Sequence, residues 1–216
     1  MEEMRARTVQ VTPLRQNCVL LDDPATGKAV VVDPGGDVED ILAALGDAQV
    51  EAILLTHGHL DHAGGADELR DRLSERQGAR VPLLGPDRRD QFLLEAIETQ
   101  AAGFGLVGLK NAHPDRFLDD GEGLELLGRR IRVAHLPGHA PGHVVFLSPE
   151  DRLAIVGDTL FAGTVGRTDF PYGDPQALLD GIRTVLLTLP DDTTVLPGHG
   201  MPTTIGRERQ SNPFLV

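Results

Sequence analysis

Between Leu54 and Gly65 the chain reads LLTHGHLDHAGG, so that the six positions from His57 to His62 hold three histidines and an aspartate. Imidazole nitrogens and a carboxylate at this density suit zinc, iron or manganese, whereas calcium takes oxygen ligands alone. His57 and His59 are two residues apart, and on an extended or loop backbone both side chains can face one cation. Asp61 and His62 follow where the chain turns into a helix, and they can face a second. With positions treated as independent, HxHxDH arises by chance on the order of once in a thousand such chains, so the pattern is informative. Bunched polar side chains are also expensive to bury without a partner, which weighs against a purely structural cluster.

Three further candidates stand where later apolar runs end: His139 in LPGHAPGH, Asp158 in IVGDTLF and His199 in LPGHG. Together with the first cluster they supply donors for two cations, three histidines on one, Asp61 with two histidines on the other, and a carboxylate such as Asp158 bridging. Two cations about 3.5–4 Å apart can share a water, bring its pKa down to about 7 and polarise a carbonyl or phosphoryl oxygen. Hydrolysis is therefore the expected reaction class. No GxSxG or Cys–His arrangement competes with it, and Cys18, the single cysteine, lies among apolar residues in NCVLL as a buried, inert thiol would.

These side chains need strand ends to hold them. TVQVTP, NCVLL and AVVVDPGG read as short strands, DVEDILAALG as a helix with Val38, Ile41, Leu42 and Leu45 on one face, and EAILLT as a strand buried on both faces. GGADELRDRLSERQ reads as a solvent-facing helix with Ala66, Leu69 and Leu73 inward. DRRDQFLLEAIETQ is expected to be helical, and the Gly-rich AAGFGLVGLKNAHPD to be a surface connection. LELLG, RIRVAHL, HVVFLS, LAIVGD and TTVLP restart the strand grammar. PQALLDGIRTVLLTL is expected to be one helix opening at Pro175, with Leu178, Ile182, Val185, Leu186 and Leu189 as its apolar stripe.

The bulk numbers bound the rest. A chain of 216 residues, 40% hydrophobic and 25% charged, is expected to form one globular domain without disulfides. Its formal charge of −13 repels phosphate backbones and anionic lipid surfaces, so neither nucleic acid nor a membrane is an expected partner, and a small molecule is. No apolar run approaches the ~18 residues of a membrane span, and MEEMRARTVQ lacks the apolar core of a signal peptide, which together lead to a cytoplasmic expectation. Oligomeric state is left open.

THGHLDH (56–62), PGHAPGH (137–143), GDTLF (157–161) and PGHG (197–200) resemble the metallo-β-lactamase superfamily. That resemblance implies an α/β fold, an αββα sandwich of two mixed β-sheets flanked by helices, with metals at one edge of the sheets. QNC (16–18), VDPGGD (32–37), GRTDFPYGD (166–174) and TTIGRERQSNPFL (203–215) look more narrowly like the short bacterial glyoxalase II-like proteins, hydroxyacylglutathione hydrolases. The likeness implies a single such domain over 1–216, lacking the C-terminal helical glutathione-binding domain of the longer enzymes. It implies two divalent metal ions, zinc first and iron or manganese as alternatives. His57, His59 and His139 would hold one, and Asp61, His62 and His199 the other, with Asp158 bridging and a hydroxide between the ions. Asp61 could also relay a proton, and Asp33 would stand behind the ligands and orient one. The implied reaction cleaves S-lactoylglutathione to lactate and glutathione. A mono-iron persulfide dioxygenase, or a lactone or other ester hydrolase of the superfamily, is the alternative.

Where longer glyoxalase II enzymes carry Lys and Tyr after GDTLF, this chain has GTVGRTDFPYG. Arg167 there is either an anion anchor or a structural salt-bridge partner, and Tyr172 either a cleft wall or a packing residue. His143 is expected to support the ligands rather than join them. His135, in register with Ile131 and Val133, is expected to be a satisfied core histidine, and His113 a loop residue.

Overall fold

The computed structural model describes residues 4–216. Strands β1 (Arg5–Val11), β2 (Gln16–Asp23), β3 (Lys28–Val32), β4 (Gln49–Leu54) and β5 (Leu83–Leu84) form one sheet in that spatial order, antiparallel at first and parallel from β3 onward. The second half lays down β6 (Gly123–Leu126), β7 (Arg129–His135), β8 (Val144–Ser148) and β9 (Leu153–Gly157), makes a small hairpin of β10 (Leu160–Phe161) and β11 (Thr164–Val165), and returns with β12 (Thr194–Pro197) and β13 (Thr203–Thr204). The second sheet has the order β13-β12-β9-β8-β7-β6, with β12 parallel to β9.

Helices cover both outer faces. α1 (Val38–Leu45), α2 (Leu60–Ala63), α3 (Ala66–Gln77), α4 (Gln91–Leu94) and α5 (Ile97–Gly103) lie with the first sheet, while α6 (Pro175–Gly181) and α7 (Ile205–Ser211) lie with the second. Burial on both faces explains why the strand sequences read as apolar runs rather than alternations. Val30 and Val32 enter the core between the sheets with Phe146, Ile155 and Leu196, and Val31 between them points the other way, to Ile41, Leu69 and Leu73. On β8, Val144 and Phe146 face the inter-sheet core while Val145 and Leu147 meet Leu178, Ile182 and Leu186. The layers are thus α/β/β/α, as the sequence led us to expect. No helix among the described residues is long and apolar enough to cross a membrane.

Phe146, 1% exposed, is the largest fully buried side chain of the inter-sheet layer. Phe146→Ala is expected to cost about 3–5 kcal/mol, read as a lower denaturant midpoint at unchanged slope.

Two segments depart from the expected pattern. The helix from Pro175 passes at Gly181, a poor helix former, into one π turn over Ile182–Leu186, though Leu178, Ile182 and Leu186 still face the sheet. DRRDQFLLEAIETQ is broken into a 3-10 turn at Arg88–Asp90, then α4 and α5, because the Asp87 side chain caps the turn at Arg89 N–H and the Asp90 carboxylate turns inward.

Candidate metal centre

The ligand candidates come together at the C-terminal edge of β4, β9 and β12. His57 and His59 leave β4 on the connecting loop, Asp61 and His62 ride on α2, and His139 sits in the β7–β8 loop. Asp158 directly follows β9 and His199 follows β12. On one side His57 Nε2 and His139 Nε2 each lie 3.0 Å from His59 Nδ1. On the other, His199 Nε2 is 3.1 Å and His62 Nε2 3.9 Å from Asp61 Oδ2. Asp158 stands between the groups, with Oδ1 3.3 Å from His62 Nε2 and Oδ2 3.5 Å from His139 Nε2 and 3.7 Å from His199 Nε2. The donor atoms of His57, His59 and His139, and those of Asp61, His62 and His199, are each close enough to close on one ion.

Two features show that the set fits divalent metal. His62 Nε2 and Asp158 Oδ1 are buried without a hydrogen-bond partner, an arrangement that costs free energy unless a cation takes up their lone pairs. A Cβ at Gly198 would fall 2.2 Å from Asp158 Oδ1 and 2.5 Å from His62 Cε1, so any side chain there would fill the cradle.

A layer of hydrogen bonds turns each ring the right way. Asp33, at the end of β3 with φ 55°, accepts from Thr56 N–H at 2.7 Å through Oδ1. Its Oδ2 accepts from the Thr56 hydroxyl at 2.6 Å and from His62 Nδ1–H at 2.9 Å. The same hydroxyl, 3.0 Å from His57 Nδ1, accepts that ring's proton. One carboxylate thereby leaves the Nε2 lone pairs of both His57 and His62 facing the centre, so Asp33 is an orienting group although its oxygens lie near enough to His57 and His62 to count as a donor set. His139 Nδ1–H donates to Arg167 O at 2.8 Å. His59 is reversed: its Nε2 pairs with the Tyr172 hydroxyl at 2.9 Å and its Nδ1 turns inward. His143 accepts the Asp158 backbone N–H on Nε2 at 3.1 Å and stacks on the His57 ring, 4.7 Å between centroids, and so lies directly behind two ligand candidates.

The charges follow from burial and contact. Burial pushes His57 well below the ordinary 6.5, His59 down to about 3 and His139 below its usual value, which leaves three neutral donors. Burial also opposes charge on His62 and His199, but Asp158 and Asp61 outweigh it, helped at His62 by Asp33, and both are raised. Asp158 lies well below the carboxylate range despite its burial, because His62, His139 and His199 face it, and Asp61 is lowered by His62 and His199.

The Arg167 guanidinium pairs with both Asp169 oxygens at 2.7 Å and lies 4.6 Å over the Phe170 ring. Tyr172 does two things: it holds His59, and it packs between Phe170 (5.3 Å) and the half-exposed Phe92 (5.5 Å). Its phenol is pushed up to about 12 by burial and stays protonated. His135 is satisfied, at 2.8 Å from Pro141 O, but is only partly buried and lies outside the core. His113 is an exposed loop residue paired with Asp67. Thr56 and Asp90 went unread in the sequence. Thr56 could have been found from its place next to His57, whereas nothing in the spacing of Asp90 marks it.

Asp33→Asn puts an amide where three acceptor contacts are needed. It is expected to weaken cation binding about 10–100-fold, measured by calorimetric titration of metal-stripped protein; an unchanged affinity would contradict the orienting role.

A model of the metallo-beta-lactamase superfamily matches residues 11–199 of this chain. Haemophilus influenzae has a relative named hydroxyacylglutathione hydrolase GloC that is 43% identical over 98% of both chains. Among solved structures, the BLEG-1 B3 metallo-beta-lactamase superposes with a TM-score of 0.87 at 34% identity, over 98% of this chain and 100% of the other. TTHA1623 in a di-iron-bound form gives 0.84 at 39% identity, over 97% and 100%.

Proposed function

The chain belongs to the metallo-beta-lactamase superfamily, and from that premise we propose that this metallo-hydrolase cleaves the thioester of a hydroxyacylglutathione, releasing a hydroxy acid and glutathione. The observation that carries the reading is the pair of donor groups with the Asp158 carboxylate between them. The 43% identity to the Haemophilus protein supports the thioester in particular. Cations held there supply water acidified to near neutrality and polarise an acyl oxygen.

The chain's own residues divide the remaining work. His57, His59 and His139, kept neutral by burial, would hold a cation through Nε2, Nδ1 and Nε2, and Asp33, Thr56, Tyr172 and the Arg167 carbonyl hold those atoms in place. Asp61 and His199 are partly open, their side chains 14% and 30% exposed. The Asp61 carboxylate, partly open to solvent, takes the proton of the attacking water. The bond that forms is water oxygen to acyl carbon, and the carbon–sulfur bond breaks; the proton passes to the departing thiolate. Zinc, iron or manganese would each suit a set of five imidazoles and two carboxylates.

The test is release of free glutathione from S-lactoylglutathione by metal-replete protein. A lactone, a β-lactam, and glutathione persulfide with oxygen uptake are run alongside, the β-lactam because of the 34% identity to BLEG-1. The thioester is expected to have the highest kcat/KM. Turnover of another arm without thiol release would overturn the thioester reading.

A further inference from the structure

We propose that Asp90 is a positioning residue of the metal centre, whose carboxylate clasps the His57–His59 loop of one sheet to the His139 loop of the other and so sets the spacing of the three-histidine group. The inference rests on the reading of those histidines as cation ligands.

Asp90 has 0% exposure. Its Oδ2 accepts the backbone N–H of Gly58 at 2.9 Å and its Oδ1 that of Gly142 at 2.5 Å. Gly58 is the residue between His57 and His59, and Gly142 follows His139 by three. The first loop leaves β4 of the first sheet; the second joins β7 to β8 of the other. One carboxylate therefore bridges the two halves of the sandwich within a residue or a few of all three nitrogens that converge at 3.0 Å. The Asp87 N–H donates to Gly142 O at 3.0 Å, so Gly142 is held through both its N–H and its C=O. Contact is close enough that a Cβ at Gly142 would lie 2.6 Å from Asp87 O and from Asp90 N. The Val144 N–H to Thr56 O bond at 2.8 Å is another tie between the loops. It joins the chain just after β4 to the start of β8, whereas Asp90 reaches Gly58 and Gly142 in the loops beyond them.

A carboxylate in this place is costly to the fold. The charged neighbour acting on it is Asp87, of like sign, and burial raises the carboxyl to about 7 although two backbone N–H groups pull it down. An apolar side chain at this fully buried position would avoid that cost, but it would leave two buried N–H groups unpaired on the loops that carry the ligand candidates. The carboxylate satisfies both donors with one rigid group. Oriented imidazoles are what a cation site requires from the layer behind it.

Asp90→Asn keeps the size but presents an amide NH₂ to one of the two donors. The experiment titrates Co(II) into metal-stripped full-length protein, read by visible absorption and calorimetry, in two backgrounds. His199→Ala retains the complete three-histidine group, and His139→Ala retains the complete Asp61, His62 and His199 group. Adding Asp90→Asn is expected to weaken Co(II) binding about 10–100-fold in the first background and by less than about twofold in the second. Equal losses in both, or none, would overturn the proposal, since a merely structural residue does not choose between the groups. If the unaltered protein binds no Co(II), the metal reading has failed rather than the clasp. A second arm decides the clasp on its own: amide hydrogen exchange in the unaltered, metal-stripped protein. Slow exchange at both Gly58 and Gly142 is expected, and rapid exchange at either sinks the proposal however the variants fold.

Discussion

Asp158→Asn is expected to lower kcat/KM for hydrolysis by about 10³-fold or more, equivalent to about 4 kcal/mol of barrier, with loss of bound metal. The side chain is the one that faces both donor groups, with Oδ1 toward His62 and Oδ2 toward His139 and His199. Two dications would bring four positive charges to donor groups that, among the described residues, supply two carboxylates, Asp61 and Asp158, besides the Asp33 carboxylate behind the rings. Replacing Asp158 by its amide removes one of those two donor carboxylates and leaves a neutral oxygen where a charged one could reach both ions. The backbone is not expected to move, because the bond from Asp158 N–H to His143 Nε2 is unaffected by the side-chain change. Elemental analysis after gel filtration, set beside kcat/KM, checks the result. A variant that keeps two ions per chain and nearly full activity would remove Asp158 from the centre.

Why Asp158 was visible in the sequence, and Asp90 was not, has a physical reason. A buried strand appears as an apolar run, and a ligand candidate at its end as a polar residue beside a glycine. IVGD, LPGH and LLTH all show that pattern. Asp90 lies instead in a stretch whose apolar residues have helical spacing, and nothing local marks the carboxylate that turns inward to meet two loops from distant parts of the chain. Its function exists only once both sheets are in place. The helix expected over that stretch broke for the same reason, since pairing with Gly58 and Gly142 requires the turn at Arg88–Asp90. Arg167 shows the converse limit. Sequence left its guanidinium open between an anion anchor and a salt-bridge partner; Asp169 two residues on pairs with that group, and the atom that reaches the centre's histidines is the backbone oxygen that accepts from His139. Ligand types are legible in local sequence; the tautomers that make them ligands are decided by Asp33, Thr56 and Tyr172, which come from separate segments.

Removing metal by acid is expected to empty the two groups in a fixed order, the Asp61, His62 and His199 group first. A cation can bind only to donors that have given up their protons, so affinity depends on what each group holds in the metal-free protein. His57, His59 and His139 have pKa values lowered below 6.5, His59 to about 3, by burial and by the neighbouring rings. Above pH 6.5 and for some way below it they hold no proton, and a cation displaces nothing. His62 and His199 are raised above 6.5 by Asp158 and Asp61 against the pull of burial. As pH falls through that range both rings become protonated, and each proton that must be displaced weakens binding by up to about tenfold per pH unit. The two carboxylates do not reverse the order, because Asp61 and Asp158 are both lowered and remain ionised throughout. Dialysis against a weak chelator from about pH 8 to about pH 5, followed by elemental analysis, should therefore pass through a plateau at one ion per chain. Calorimetry in buffers of different ionisation enthalpy should show proton release on refilling the second group at the lower pH. Simultaneous loss of both ions, or retention of the second group alone, would contradict the charge distribution on which this order depends.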